Sequence, residues 1–194
     1  MNWVNEAWED IQNWNENWAW MCQDFTLQTV AGQRIYQTDQ IAADFGRWHE
    51  ESLRCYKTAY GANNEQFLAF MQYADFRNSY MFGAMNNSAG RPMVFSERPR
   101  DKALLLGPVP DDAFTIYGEY QARATRMANN LDKPGNGTFP DQFHMIIVHR
   151  AVMKYSEFEG AGPLYGAAQA NFKQVMGGLE KSQLEEITVG RALA

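Results

Sequence analysis

Apolar residues recur every three or four positions in two parts of the chain, which indicates amphipathic helices. In residues 2–21 this stripe is Val4, Ala7, Trp8, Ile11, Trp14 and Trp18. Residues 139–182 carry two further stripes, Phe143, Ile147, Ala151, Tyr155 and Phe158, then Tyr165, Ala168, Phe172, Val175, Met176 and Leu179. The Gly-Ala-Gly-Pro corner at 160–163 separates the two, so the sequence predicts an antiparallel helical hairpin over 139–182.

The part of the chain between these helices has a different pattern. Apolar and polar residues alternate over 25–30 and 34–37, which predicts a β-hairpin, and further strand-like runs follow, the last over 114–121. A helix is predicted near 70–82 within this β region. We therefore expect one domain over 1–194 of the α+β class. Its helical bundle combines the N-terminal helix with the C-terminal hairpin, and a small antiparallel β-sheet region, mainly 24–128, is inserted between them.

Composition and charge narrow the class of protein. The 194 residues are 45% hydrophobic and 21% charged, which is typical of a globular chain. The net charge of −6 argues against a protein that holds duplex DNA tightly, because such affinity comes from neutralising phosphates. No signal peptide or membrane-spanning stretch is recognisable, and Cys22 and Cys55 fit no metal or redox pattern. We therefore expect no membrane partner and a chain made in a reducing cytoplasm.

Candidate chemistry is sparse. His144 and His149 are five residues apart, so a helix would not direct them at one metal ion. No nucleophile motif or phosphate-binding loop is present, and we predict no catalytic residues, metal or cofactor, hence no enzyme. Four basic residues cluster along the β region: Arg91, Arg98, Arg100 and Lys102. They form either a solvated face or a contact for acidic partners.

Several short strings, in the same order along nearly the whole chain, resemble the head-to-tail adaptor (connector) proteins of tailed bacteriophages. They are Val4-Asn5-Glu6-Ala7-Trp8 with Trp18-Ala19-Trp20-Met21, Thr29-Val30-Ala31-Gly32-Gln33 with Tyr36, Gly90-Arg91-Pro92 with Leu104-Leu105-Leu106-Gly107-Pro108, Phe139-Pro140 with Phe143-His144 and Arg150-Ala151, and Ile187-Thr188-Val189-Gly190. Each string alone is weakly specific, whereas their shared order is more so.

The resemblance implies a structural virion protein at the head–tail junction, assembled in the host bacterial cytoplasm. It implies a ring of twelve copies that docks under the portal protein and receives tail or nozzle proteins. Genomic DNA would pass through the ring during packaging and ejection without sequence-specific binding. The acidic balance fits such a channel, because negative charge keeps DNA from adhering.

The last residues, 183–194, have no helical stripe but remain apolar, and we expect an extended tail there. Leu184, Ile187, Thr188, Val189 and Leu193 are the candidate portal-docking residues. Such a segment either folds back on its own domain or adds main-chain hydrogen bonds to a partner. Adaptor function favours docking into the portal.

Two other functions stay open at this point. A monomeric module could bind carbohydrate or peptide through exposed aromatic residues, which make up 14% of the chain. An enzyme whose site is not recognisable in one sequence is the third hypothesis.

Overall fold

The computed structural model describes residues 2–129 and 132–184, and the chain divides into two compact units. One unit comprises Met1–Cys22 and Ala124–Ala194, and the other comprises Gln23–Arg123. We call the first the helical unit and the second the β unit. In the described residues the helices are α1 (Asn2–Gln12), α2 (Tyr73–Tyr80), α3 (Met145–Glu159) and α4 (Gly162–Gln183).

The described strands lie almost entirely in the β unit and are short. They are β1 (Cys22–Gln28), β2 (Ile35–Tyr36), β3 (Phe45–Trp48), β4 (Arg54–Lys57), β5 (Gln66–Phe67), β6 (Ala69–Phe70), β7 (Ala89–Gly90), β8 (Val94–Glu97), β9 (Leu104–Gly107), β10 (Val109–Pro110) and β11 (Phe114–Ala122). One sheet has the order β1-β11-β4-β5, with β3 also paired to β11. A second has the order β2-β9-β8-β6, and β7 pairs with β10 in a third.

The predicted fold, a helical bundle with a small antiparallel sheet inserted, is wrong. The described residues form a β-rich domain of eleven strands in three sheets, accompanied by C-terminal helices. The sheets are not purely antiparallel either, since β6 pairs with β8 and β7 with β10 in parallel. The hairpin predicted over 25–30 and 34–37 is absent, because β1 pairs with β11 and β2 with β9. These pairings depend on packing between distant segments, which the period of one segment does not reveal.

The first helix is shorter than the predicted span of 2–21. α1 ends at Gln12, and only a single 3-10 turn, Ala19–Met21, follows before β1. Asparagines at 13, 15 and 17 interrupt the helix, since their side chains compete with the helical backbone for hydrogen bonds. The Asn15 side chain accepts such a bond from the backbone N–H of Asn17, at 2.8 Å.

In the helical unit, α3 packs against both α1 and α4 around an aromatic core. Trp8 of α1 lies 5.2 Å from the ring of Trp20 and 5.1 Å from that of Phe139. From α4, the core receives Ala168, Phe172, Met176 and Leu179, which recur on one side of the helix. This regular spacing explains why 162–183 forms a helix with one buried face.

Side chains of α1 also hold an extended segment, 125–127, that belongs to no sheet. The Gln12 amide donates to the carbonyl of Thr125 and accepts from its N–H, both at 2.9 Å. Asn5 makes the same pair of hydrogen bonds with Met127, at 3.1 and 3.0 Å. Because positions 5 and 12 lie on one side of a helix, two side-chain amides take the place of a neighbouring strand.

The β unit has its own core, in which Phe25, Phe45 and Trp48 pack together. Two backbone segments approach each other closely where β3 pairs with β11, at an irregularity in register. A Cβ atom added at Gly46 would lie 2.7 Å from the carbonyl oxygen of Gln121. Only glycine fits at this position without displacement of the backbone.

Candidate interaction surfaces

The outward face of α3 is an apolar strip that the chain leaves uncovered in the described residues. Met145, Val148 and Tyr155 are 54%, 48% and 46% exposed, and half-buried Val152 lies between them. Their spacing places all four on one side of the helix. This face was not predicted from the sequence, because the apolar period places Tyr155 in the same stripe as the buried residues Ile147 and Ala151.

A charged cluster joins α1 to α3 on a different side of α3. Asp10 accepts a hydrogen bond from Arg150 at 2.8 Å, and the ammonium group of Lys154 lies 2.9 Å from the same carboxylate. Burial raises the pKa of Asp10, but the hydrogen bonds from Lys154 and Arg150 outweigh burial and lower the pKa below its usual value. Both cations are therefore engaged within the helical unit.

The four basic residues singled out in the sequence do not form one exposed face. Arg91 donates to the carbonyls of Cys55 and Asn64. Arg98 is buried and paired with Asp101, while Lys102 donates to the carbonyl of Gly46 at 2.8 Å.

Like Lys102, Arg100 is exposed. Its side chain is 76% exposed, with a single long ion pair to Asp101 at 3.7 Å. Of the four, Arg100 and Lys102 are the residues that the structure presents to an acidic partner. The sequence could not reveal this difference, because side-chain direction depends on the turn between β8 and β9.

The predicted docking tail is only partly within the described residues. Leu184 follows α4 directly, and its backbone N–H bonds to the carbonyl of Glu180 at 2.9 Å. Its half-buried side chain packs against the core of the helical unit. The other candidates, Ile187, Thr188, Val189 and Leu193, lie outside the described residues.

Residues that could support catalysis or hold a metal are dispersed. Within residues 2–129 and 132–184, no group of three or more His, Cys, Asp and Glu side chains is arranged to hold a metal ion. His49 interacts with the side-chain oxygen of Gln121 at 3.2 Å, whereas His144 stacks on Phe139 in the other unit. A shallow hollow of about 330 Å³ beside His49 is lined mainly by Glu50, Glu51 and Glu119.

Comparison with known protein families identifies the class of protein to which the chain belongs. The family model for the SU10 adaptor protein matches residues 1–192. The chain belongs to this family of phage head-to-tail adaptors, which confirms the resemblance noted in the sequence. No similar protein was found among the curated proteins.

Family membership defines a structural adaptor of the phage virion, a class that contacts the portal and the tail. Membership of this family points to a structural rather than an enzymatic role. In the part of the chain that the structure describes, no helix is both long enough and apolar enough to cross a membrane.

Proposed function

We propose that this adaptor forms a ring of twelve copies that docks under the portal and connects the capsid to tail or nozzle proteins. The observation that carries the proposal is the match to a head-to-tail adaptor family along nearly the whole chain. The uncovered apolar face of α3 supports assembly, since exposed apolar surface of this kind marks protein contacts. Assembly takes place in the host bacterial cytoplasm.

The ring also forms part of the channel that retains and ejects DNA, and it contacts DNA without sequence preference. Twelve copies would carry a formal charge of roughly −72, which opposes adhesion of phosphate. Many guanidinium groups are already engaged within the chain, which leaves fewer for phosphates. These are Arg34, Arg91, Arg98, Arg126 and Arg150. Nanomolar affinity for duplex DNA at physiological salt would contradict this part of the proposal.

The C-terminal tail anchors the ring to the portal. Leu184 fixes the start of the tail against the helical core, and Ile187, Val189 and Leu193 supply apolar side chains for a portal crevice. Thr188 and Val189 favour extended backbone, which can add main-chain hydrogen bonds to a partner strand. Ordering about ten residues costs roughly 10 kcal/mol or more, so the crevice must offset that entropy.

Removal of residues 185–194 tests this anchoring and leaves the packed Leu184 in place. Full-length and truncated chains would be mixed with purified portal rings and separated by sedimentation. We expect equal thermal stability of the two free chains and loss of portal binding in the truncated one. Normal binding by the truncated chain would instead support a tail that folds back on its own domain.

A monomeric carbohydrate- or peptide-binding module has less support from the exposed aromatic residues. The most exposed tryptophan of the helical unit, Trp14, already packs edge-on against Phe172, with 5.6 Å between the ring centres. Its indole N–H donates to Glu180 at 3.0 Å. Glycan binding by the free chain would favour this alternative.

A further inference from the structure

The outward face of α4 differs in kind from the apolar strip on α3. Gly166, Ala167 and Ala170 are exposed, Gly177 is half-buried, and all four lie opposite the buried side of the helix. The strip on α3 is therefore bulky, whereas the outward side of α4 is mostly small, with Gln174 and Lys181 as its longer side chains.

Two glycines of this small face have no explanation in residues 2–129 and 132–184. A Cβ atom added at Gly166 or Gly177 would meet no atom within 4 Å. At Gly178, by contrast, it would lie 3.3 Å from the ring of Phe143, so packing within the chain accounts for that glycine. Because glycine in a helix interior is less stable than alanine, Gly166 and Gly177 point to a close neighbour beyond the described residues.

The charges on the two helices are complementary. α3 ends with exposed Glu159, and its cations Arg150 and Lys154 are engaged by a carboxylate of α1. α4 exposes Lys173 and Lys181, while its single acid, Glu180, is half-buried. The exposed charge is therefore acidic on α3 and basic on α4, so the two faces attract each other rather than a like face.

We infer that the outward face of α3 in one copy packs on the outward face of α4 in the next copy. This inference rests on the proposed ring. The strip from Met145 to Tyr155 is about 15 Å long, and small residues on the opposing helix allow the two axes to approach closely. Each copy presents both faces, so the contact is of the head-to-tail type that closes into rings.

The glycines give a test in which two effects have opposite signs. The double variant Gly166→Ala, Gly177→Ala is expected to raise the melting temperature of the free chain, since alanine favours the helix and meets no atom. The same methyl groups are expected to hold the two helices apart. The chain concentration needed for half-maximal assembly on portal rings should therefore rise roughly tenfold or more. The control Asn78→Ala improves the propensity of exposed α2 without touching either face. Assembly of the glycine variant at wild-type concentrations would overturn the inference.

Variants that block one face each test the direction of the contact. Tyr155→Asp blocks α3, Ala170→Glu blocks α4, and both side chains are exposed, so circular dichroism is expected to match the wild type. The chains would be bound to portal rings, treated with a lysine crosslinker and resolved by mass. We expect a multimer ladder for the wild type, none for either variant alone, and a ladder that stops at two chains for their mixture.

Three outcomes would overturn the inference while leaving the ring in place: a wild-type ladder from either variant, a mixture that yields only monomers, or a mixture whose ladder continues past two. Failure of the proposed function has a different signature. In that case the wild-type chain itself neither binds the portal rings nor crosslinks on them.

Discussion

Replacement of Gln12 by alanine is expected to release Thr125 from α1, while Asn5 still holds Met127. The Gln12 side chain is 3% exposed, and its amide satisfies both the N–H and the carbonyl of Thr125. Alanine leaves these two backbone groups without partners in a partly buried site. An unsatisfied buried polar group costs about 1–3 kcal/mol, so we expect the free energy of unfolding to fall by about 2–4 kcal/mol.

The prediction is checked by urea unfolding and by amide hydrogen exchange in the peptide that contains 124–128. Gln12→Glu keeps the bond from Thr125 N–H but turns a carboxylate toward the Thr125 carbonyl and buries a charge, so we expect a loss at least as large as that of Gln12→Ala. Asn13→Ala is the matched control, since Asn13 is the next residue and is exposed. Equal exchange in 124–128 for Gln12→Ala and Asn13→Ala would refute the role assigned to Gln12.

Three further predictions follow from packing and charge. Asp10→Asn should lower stability by about 1–3 kcal/mol at pH 7, since Arg150 and Lys154 lose their anion. Because folding lowers the pKa of Asp10, this contribution to stability is fully present above the unfolded pKa of about 3.9. It is lost as the pH falls from there through the lower folded pKa. Urea unfolding at pH 7 and pH 3 tests this, and an undiminished difference at pH 3 would count against it. Gly46→Ala should lower the free energy of unfolding by about 1–3 kcal/mol, because the new Cβ contacts the Gln121 carbonyl. Gly90→Ala is the control, since its Cβ meets no described atom and should change stability little. Equal melting temperatures of the two variants would contradict this. Burial raises the pKa of Cys55 to about 11, so iodoacetamide at pH 8 should label Cys22 and spare Cys55, and equal labelling by mass spectrometry would disprove it.

Local periodicity was sufficient to predict the buried side of α4. Ala168, Phe172 and Met176 recur at steps of four, and all three are buried. The same argument failed for Tyr155, because periodicity places a residue on a face but does not tell which faces the chain itself covers. The exposed face of α3 could therefore be found only once α1 and α4 were in place.

The β unit was less predictable, because its strands are short and pair over long distances. β2 contains two residues and finds its partner in β9, some seventy positions later. The basic residues show the same limit, since Arg98 and Arg100 lie only two positions apart yet one is buried and the other exposed. Nothing in the residue types distinguishes the two.

The central claim is tested most directly by electron cryomicroscopy of the purified chain bound to portal rings. We predict twelve copies in a closed ring under the portal, with the C-terminal residues of each copy in contact with portal subunits. A bound assembly whose symmetry is neither twelve-fold nor a divisor of it, or isolated copies that do not touch one another, would contradict the account.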